Sequence, residues 1–291
     1  MASPEELDIL GITTVAGNVP LSLTQKNARL MCDIAGRQDI PVFAGCAYPM
    51  SRKLVTAEHV HGSTGINGVD AVEPNTPLQA INAVDFLIST LKSAEDNSIT
   101  LVPVGPLTNI AYALKQEPSI TSKISKIVIM GGAMREGGNI TPSAEFNIYV
   151  DPQAADIVFN CGRPIISMGL DLTHQVLSTE ARVARIKAIG NSVSDATAGM
   201  LNFFSQYDTQ KYGSKGAPLH DPCTVAWLLA PELFTGKDCN LKVETKSELT
   251  MGHTAVDFWH VTKDVKNVHW VYSVDADGFY DLLIERLGRF S

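Results

Sequence analysis

An α/β fold with an open, mostly parallel sheet flanked by helices is the architecture this sequence predicts, and three observations carry it. Short apolar runs rich in β-branched residues recur without polar alternation, as strands buried on both faces require. Segments with helical apolar spacing separate those runs. Amides, carboxylates and imidazoles gather directly after them, at the carboxyl ends where open parallel sheets bind ligands. Strand–helix alternation implies right-handed βαβ crossovers. There is no internal repeat, low-complexity tract or Pro/Ser-rich linker, so the 291 residues read as a single domain, 1–291.

The first element is the run LDILGITTV at 7–15, which predicts a buried strand ending in Ala16-Gly17-Asn18. Leu23, Ala28, Leu30, Met31 and Ile34 have helical spacing, so 22–36 reads as a helix closed by Gly36. A short strand comes next at 41–44. Residues 51–75 are rich in Gly, His and Ser without sustained periodicity, and loops of that length are often functional. A helix is expected at 77–93, a strand at 99–104, a helix at 107–116 and a strand at 125–130. After a polar loop carrying Asn139, Glu145 and Asn147 come a helix at 152–159 and a strand at 164–169. Amphipathic helices are expected at 178–189 and 194–208, with another at 221–230. Candidate strands lie within 240–273, including Trp270-Val271-Tyr272, and 276–288 closes the chain as a helix.

Composition narrows the function. Hydrophobic residues at 45% and charged residues at 19% are globular values that exclude intrinsic disorder. A net charge of −8 argues against nucleic acid and anionic membranes as partners. No apolar run reaches the roughly 18 residues of a membrane span, and MASPEELDIL has neither signal nor transit character. The five cysteines are odd in number and widely spaced, without CxxC. Reduced thiols in a cytoplasmic protein are therefore expected, with Cys223 of HDPC a buried helical thiol.

The candidate site gathers the residues at the carboxyl end of each strand: Asn18; then Gly105-Pro106-Leu107-Thr108-Asn109; then Gly131-Gly132-Ala133 with Asn139, Glu145 and Asn147; then Asp171-Leu172-Thr173-His174; and finally His220-Asp221 at a helix start. These residue types suit a polyhydroxylated ligand and a cation, with Phe146, Tyr207 and Tyr212 as the aromatics among them. Each also has a plainer reading. Asn after a strand is commonly a turn residue, Glu145 and Asn147 fit a solvated loop, and Asp171 fits a loop anchor. Asp221 before Pro222 fits a helix N-cap, and a lone histidine is more often structural than catalytic.

The segments ITTVAGN, HVHGSTG, LVPVGPLTNIA, IVIMGGA, AEFNIYVDPQAA, GLDLTHQ and APLHDPC resemble, in this order, the inosine–uridine preferring nucleoside hydrolases. The resemblance implies hydrolysis of the N-glycosidic bond of ribonucleosides to ribose and free base. It implies a bound Ca²⁺ that grips the 2′- and 3′-hydroxyls and the attacking water. By that resemblance Asn18 and Asn147 contact the ribose, and Asn139 and Glu145 hold its 5′ and 3′ sides. Phe146 and Tyr212 line the substrate, while the Val104 carbonyl and the Asp221 carboxylate are metal ligands. His61 lies near base or ribose, and His220 lies on the base side, where it helps the leaving group depart. Homodimers or homotetramers and a role in nucleoside salvage are implied as well. Such chemistry matches the residues: calcium takes six to eight oxygen ligands, amides and carboxylates satisfy hydroxyls, and a departing base needs a proton or a polarising hydrogen bond.

One departure carries weight. The family's sheet starts with a strand ending in a DxDxxxDD loop that supplies a general base and calcium carboxylates, and no such loop precedes Asp8 here. The expectation is a sheet lacking its first central strand, between 7–15 and 99–104, and a calcium site short of ligands. A non-catalytic nucleoside- or ribose-binding protein is the alternative function. A dinucleotide-binding oxidoreductase is disfavoured, because no GxGxxG opens a helix after a strand. Pyrimidine nucleosides are expected to be slightly preferred: Tyr212, eight residues before His220, matches a tyrosine of pyrimidine-preferring members, although Asp208 stands where they carry Gln. Residues 207–219, YDTQKYGSKGAPL, are expected to move before ligand binds.

Overall fold

The computed structural model describes residues 1–212 and 215–290, with the side chains of 207–212 outside the described set. The expectations for Tyr207, Asp208 and Tyr212, and most of the expected mobile segment, therefore lie outside the described residues.

In chain order the elements are β1 (Ile12–Thr14), α1 (Leu21–Ile34), β2 (Val42–Ala44), α2 (Glu58–His61), α3 (Ala83–Ser93), β3 (Ile99–Leu101), α4 (Thr108–Gln116) and β4 (Ile124–Met130). Then come α5 (Phe146–Val150), α6 (Pro152–Phe159), β5 (Ile165–Met168), α7 (Leu170–Thr173), β6 (Leu177–Thr179), α8 (Glu180–Lys187), α9 (Ser192–Tyr212) and β7 (Gly216–Pro218). The chain closes with α10 (Pro222–Leu229), β8 (Phe234–Cys239), β9 (Leu241–Val243), β10 (Thr254–Val256), β11 (Val268–Val274) and α11 (Ala276–Leu287).

The main sheet has the order β3-β4-β5-β11-β8, parallel except for β8 against β11. Both faces are buried, as the apolar runs require. On β4, Ile127 and Ile129 join one core cluster with Leu107, Phe159 and Trp270, while Val128 points into another with Ile166, Met168 and Phe279. β1 and β2 form a separate two-stranded parallel sheet. Among the described residues β1 pairs only with β2, and β3 only with β4. Asn109, at the start of α4, joins the two pieces: its amide donates to the Thr14 carbonyl at 2.9 Å and accepts from Cys46 N–H at 2.8 Å. Gly45 is required there, since a Cβ would lie 2.3 Å from Asn109 Oδ1.

Several boundaries differ from expectation, each for a local reason. The first strand is only Ile12–Thr14 within the expected 7–15. The helix expected from 77 begins at Ala83, because the Asn82 side chain caps it at Val84 N–H while Leu78 bridges to Val42. The helix expected from 178 begins at Glu180, capped by Thr179, after residues 177–179 pair with β7. The expected loop at 51–75 holds the short α2. β8 has no counterpart among the expected strands: its sequence FTGKDC carries no apolar run, because it is a half-exposed strand at the sheet edge. All five cysteines are free.

Candidate active site

The carboxyl ends of both sheets open on one cavity of about 1010 Å³, lined by Asn18, His61, Val104, Asn139, Glu145, Phe146, Asn147, His220 and Asp221, whereas Asn109 and Asp171 do not line it. Asn18 follows β1. Its carbonyl accepts from Ala57 N–H at 2.8 Å, tying this turn to the loop before α2 and leaving the side chain exposed at the cavity wall.

The segment carrying Glu145 and Asn147 is a helix where the sequence suggests a loop. Glu145 is the N-cap of α5 and is 2% exposed. Its carboxylate accepts from Asn147 N–H at 3.0 Å and from Gly132 N–H at 3.1 Å. Gly132 has φ +90, which glycine adopts freely. Burial pushes the Glu145 carboxyl up to about 7, and the backbone N–H groups that bind it oppose that rise. Asn147 lies on α5 and donates its amide to the Met130 carbonyl at 3.1 Å, beside the Val104 carbonyl at 3.5 Å. Asn139 Oδ1 accepts from Phe146 N–H at 2.9 Å, so this exposed residue also fixes the entry to α5. Phe146 packs against Ala57 and Val150 as well as bordering the cavity, and its role is at least partly structural.

Asp221 precedes α10, with Pro222 at the first helical position, as a capping residue would. Its carboxylate nevertheless makes no capping hydrogen bond. It remains open to the cavity while enclosed by surrounding protein, and that enclosure, then the neighbouring Glu145 charge, pushes it up to about 7. The two carboxylates thus differ: Glu145 is spent on backbone amides, and Asp221 is not.

A group of aromatic side chains also lines the cavity. His61, at the end of α2, stacks on Phe204 of α9 at 5.3 Å between centroids and 11° between planes. Phe204 meets His220 edge-on at 6.4 Å, and His174 lies 6.0 Å from His220. His220 Nδ1 is 2.7 Å from Thr173 Oγ1. Burial, then His174 and His61, hold His220 down at about 3. Burial and then His59 hold His61 at about 4. Both imidazoles are therefore neutral near pH 7 and act as hydrogen-bonding groups.

Phe204 escapes a reading of the sequence because an aromatic on an amphipathic helix looks like core. Thr173 and His174 stand in a motif after a strand, but nothing in their spacing assigns them a task. Asp171 is an anchor, for the neighbouring segment: its carboxylate accepts from Met134 and Arg135 N–H at 2.7 and 2.8 Å, pinning the chain after β4. No cluster of three or more metal-binding His, Cys, Asp or Glu side chains occurs among the described residues. Among the described residues lining the cavity, oxygen donors of a hard-cation type include the Asp221 carboxylate and the Val104 carbonyl, beside the carboxylates of Glu145 and Glu136.

Comparison with known proteins bears on this cavity. The family model described as inosine-uridine preferring nucleoside hydrolase matches residues 1–281. An uncharacterized protein of Schizosaccharomyces pombe is 50% identical over 99% of this chain and 93% of its own length. The pyrimidine-specific ribonucleoside hydrolase RihA of an Enterobacter strain is 46% identical over 100% of this chain and 92% of its own. Among solved structures, a plant nucleoside hydrolase superposes with a TM-score of 0.91 at 33% identity, covering 99% of this chain and 92% of that one. A purine-preferring ribonucleoside hydrolase from Gardnerella vaginalis gives 0.90 at 32%, with the same coverage.

Proposed function

This chain belongs to the inosine-uridine preferring nucleoside hydrolase family and is a ribonucleoside hydrolase, and we propose that pyrimidine nucleosides such as uridine and cytidine are its preferred substrates. The observation that carries the site assignment is the convergence of Asn18, Asn147, Asp221, His61 and His220, from separate segments, on one cavity. The pyrimidine reading is supported by the pyrimidine specificity of the 46% identical relative and by Tyr212 in the sequence; Asp208 weighs against it.

In this reading Asn18 and Asn147 bind the ribose hydroxyls, with Asn139 and Glu145 beside its 5′ and 3′ ends. Asn147 directs its amide N–H to the Met130 carbonyl, so its Oδ1 remains to accept from a hydroxyl. As the C–N bond breaks, positive charge grows on the sugar ring, and these oxygens stabilise it. The base leaves toward His61, Phe204 and His220, and a neutral His220 N–H polarises it by a hydrogen bond.

Nucleoside hydrolases of this family are generally metal-dependent, and we assign calcium here from the chemistry of the donors. A carboxylate with no hydrogen bond among the described residues, together with a carbonyl, suits a hard cation, and calcium takes six to eight such oxygens. When bound, the ion would grip the ribose diol and acidify the attacking water. The same reading makes residues 1–291 one catalytic domain acting as a homo-oligomer in cytoplasmic nucleoside salvage. Among the described residues no helix is long and apolar enough to cross a membrane.

The test is product analysis. Uridine incubated with the purified protein and calcium should yield uracil and reducing sugar in equal amounts. Saturable binding of uridine without either product would instead identify a nucleoside-binding protein.

A further inference from the structure

We propose that Thr173 is a positioning residue that sets the tautomer of His220, so that the imidazole presents an N–H to the departing base. The inference rests on the proposal that His220 serves the leaving group. It goes beyond that proposal by assigning the residue behind His220.

The geometry leaves little freedom. Thr173 ends α7 and is fully buried. Its hydroxyl lies 2.7 Å from His220 Nδ1, and no other hydrogen bond of that hydroxyl occurs among the described residues. Two arrangements of protons are possible. If Nδ1 carried the proton and donated to Oγ1, the threonine O–H would be a buried donor without an acceptor, which costs about 1–3 kcal/mol. If the threonine O–H donates to Nδ1, the buried hydroxyl has its acceptor and the ring proton sits on Nε2, on the cavity side. The second arrangement prevails, because RT is only about 0.6 kcal/mol and the penalty exceeds it severalfold.

The consequence is directional. With Nδ1 held against the buried threonine, Nε2 is the ring nitrogen left for the cavity that His220 lines. It arrives there as a donor. A pyrimidine base leaves with negative charge growing on its ring nitrogen and carbonyl oxygen, so a donor helps and a lone pair hinders. The neighbours reinforce the position: Phe204 meets the ring edge-on and His174 lies tilted beside it, limiting rotation of the imidazole. His174 is half-buried and pairs with Glu136 through Nδ1 at 3.3 Å, so it is engaged elsewhere and does not compete for Thr173.

The test compares two leaving groups. Uracil needs the donor, whereas 4-nitrophenolate, released from 4-nitrophenyl β-D-ribofuranoside, is a stable anion that does not. Thr173→Val keeps the shape and removes the hydroxyl. It should lower kcat for uridine roughly 10- to 100-fold, leave KM nearly unchanged, and leave the nitrophenyl riboside within about threefold of wild type. Thr173→Ser, which retains the hydroxyl, should recover most of the loss. Selective ¹⁵N-histidine NMR should show His220 protonated at Nε2 in the wild type and a mixture of tautomers in Thr173→Val. Equal losses on both substrates would mark Thr173 as merely structural and overturn the proposal, as would an unchanged rate with uridine. His220→Ala separates the roles of the two residues. If it slows both substrates equally, the assignment of His220 to the leaving group fails, and the role of Thr173 falls with it. If it slows only uridine while Thr173→Val does nothing, only the threonine proposal fails.

Discussion

The two walls of the cavity are built in opposite ways. On the wall assigned to ribose, Glu145, Asn147 and Asn139 are each fastened to backbone groups, through Gly132 and Asn147 N–H, the Met130 carbonyl and Phe146 N–H. On the wall assigned to the base, His61, Phe204 and His220 hold one another mainly by ring contacts, with one hydrogen bond to Thr173. Hydrogen bonds to backbone fix a side chain in direction, whereas ring packing constrains it mainly by shape. The difference matches the ligand. Ribose is common to all ribonucleosides and rewards a rigid polar frame, while in the proposed assignment the varying base meets the aromatic wall.

The contrast between the walls breaks first, and most visibly, at the sugar. A site built to bind hydroxyls rejects an analogue lacking one by about 10⁴-fold. 2′-Deoxyuridine should therefore lose roughly that much in kcat/KM relative to uridine, measured by uracil release. A loss under tenfold would mean that the polar wall does not read the sugar.

Asp221 comes next. Its carboxylate is the unspent one, so Asp221→Ala should lower kcat for uridine by roughly 10²- to 10³-fold or more. Chelation of calcium should abolish wild-type turnover, and added calcium should restore it. Full activity in excess chelator would exclude the ion from catalysis.

A smaller effect is expected on the aromatic wall. Phe204→Ala removes the ring between His61 and His220, and an aromatic contact of this kind contributes about 0.5–1.5 kcal/mol. The expected result is a loss of about 2- to 12-fold that differs between uridine and inosine, while discrimination against 2′-deoxyuridine persists. A uniform loss across bases would show that the wall does not select.

The smallest effect is on stability. The Asp221 carboxyl is raised from 3.8 to about 7, so the folded protein holds this proton more tightly than the unfolded chain does. Its contribution to stability is complete below about pH 3.8 and is lost as the pH rises through about 7. In metal-free protein, Asp221→Asn should then raise Tm at pH 8, by roughly 2–4 °C for each kcal/mol relieved. The gain should shrink at pH 5. A lower Tm at pH 8 would show that the ionised carboxylate is stabilised in the fold.

The polar wall is largely legible in the sequence; of the aromatic wall, His61 and His220 are legible and Phe204 is not. Asn18, Glu145, Asn147 and Asp221 stand after strands or at a helix start, so the rule for open sheets locates them together, while Val104 is named by the family resemblance. Even there, α5 is hidden, because its cap depends on Glu145 folding back onto Gly132, a contact that only the fold creates. Phe204 and Thr173 lie on helices where apolar spacing is satisfied by core packing, and their meeting with His61 and His220 spans large separations along the chain. β8 is not foreseeable, because a polar edge strand lacks the apolar run that marks its neighbours.

The most direct test of this division between walls is the ratio of kcat/KM for uridine to that for inosine, measured on the same purified protein with saturating calcium. Because the ribose wall treats both substrates alike, that ratio isolates the aromatic wall. A larger value is expected for uridine; a larger value for inosine would contradict the pyrimidine preference.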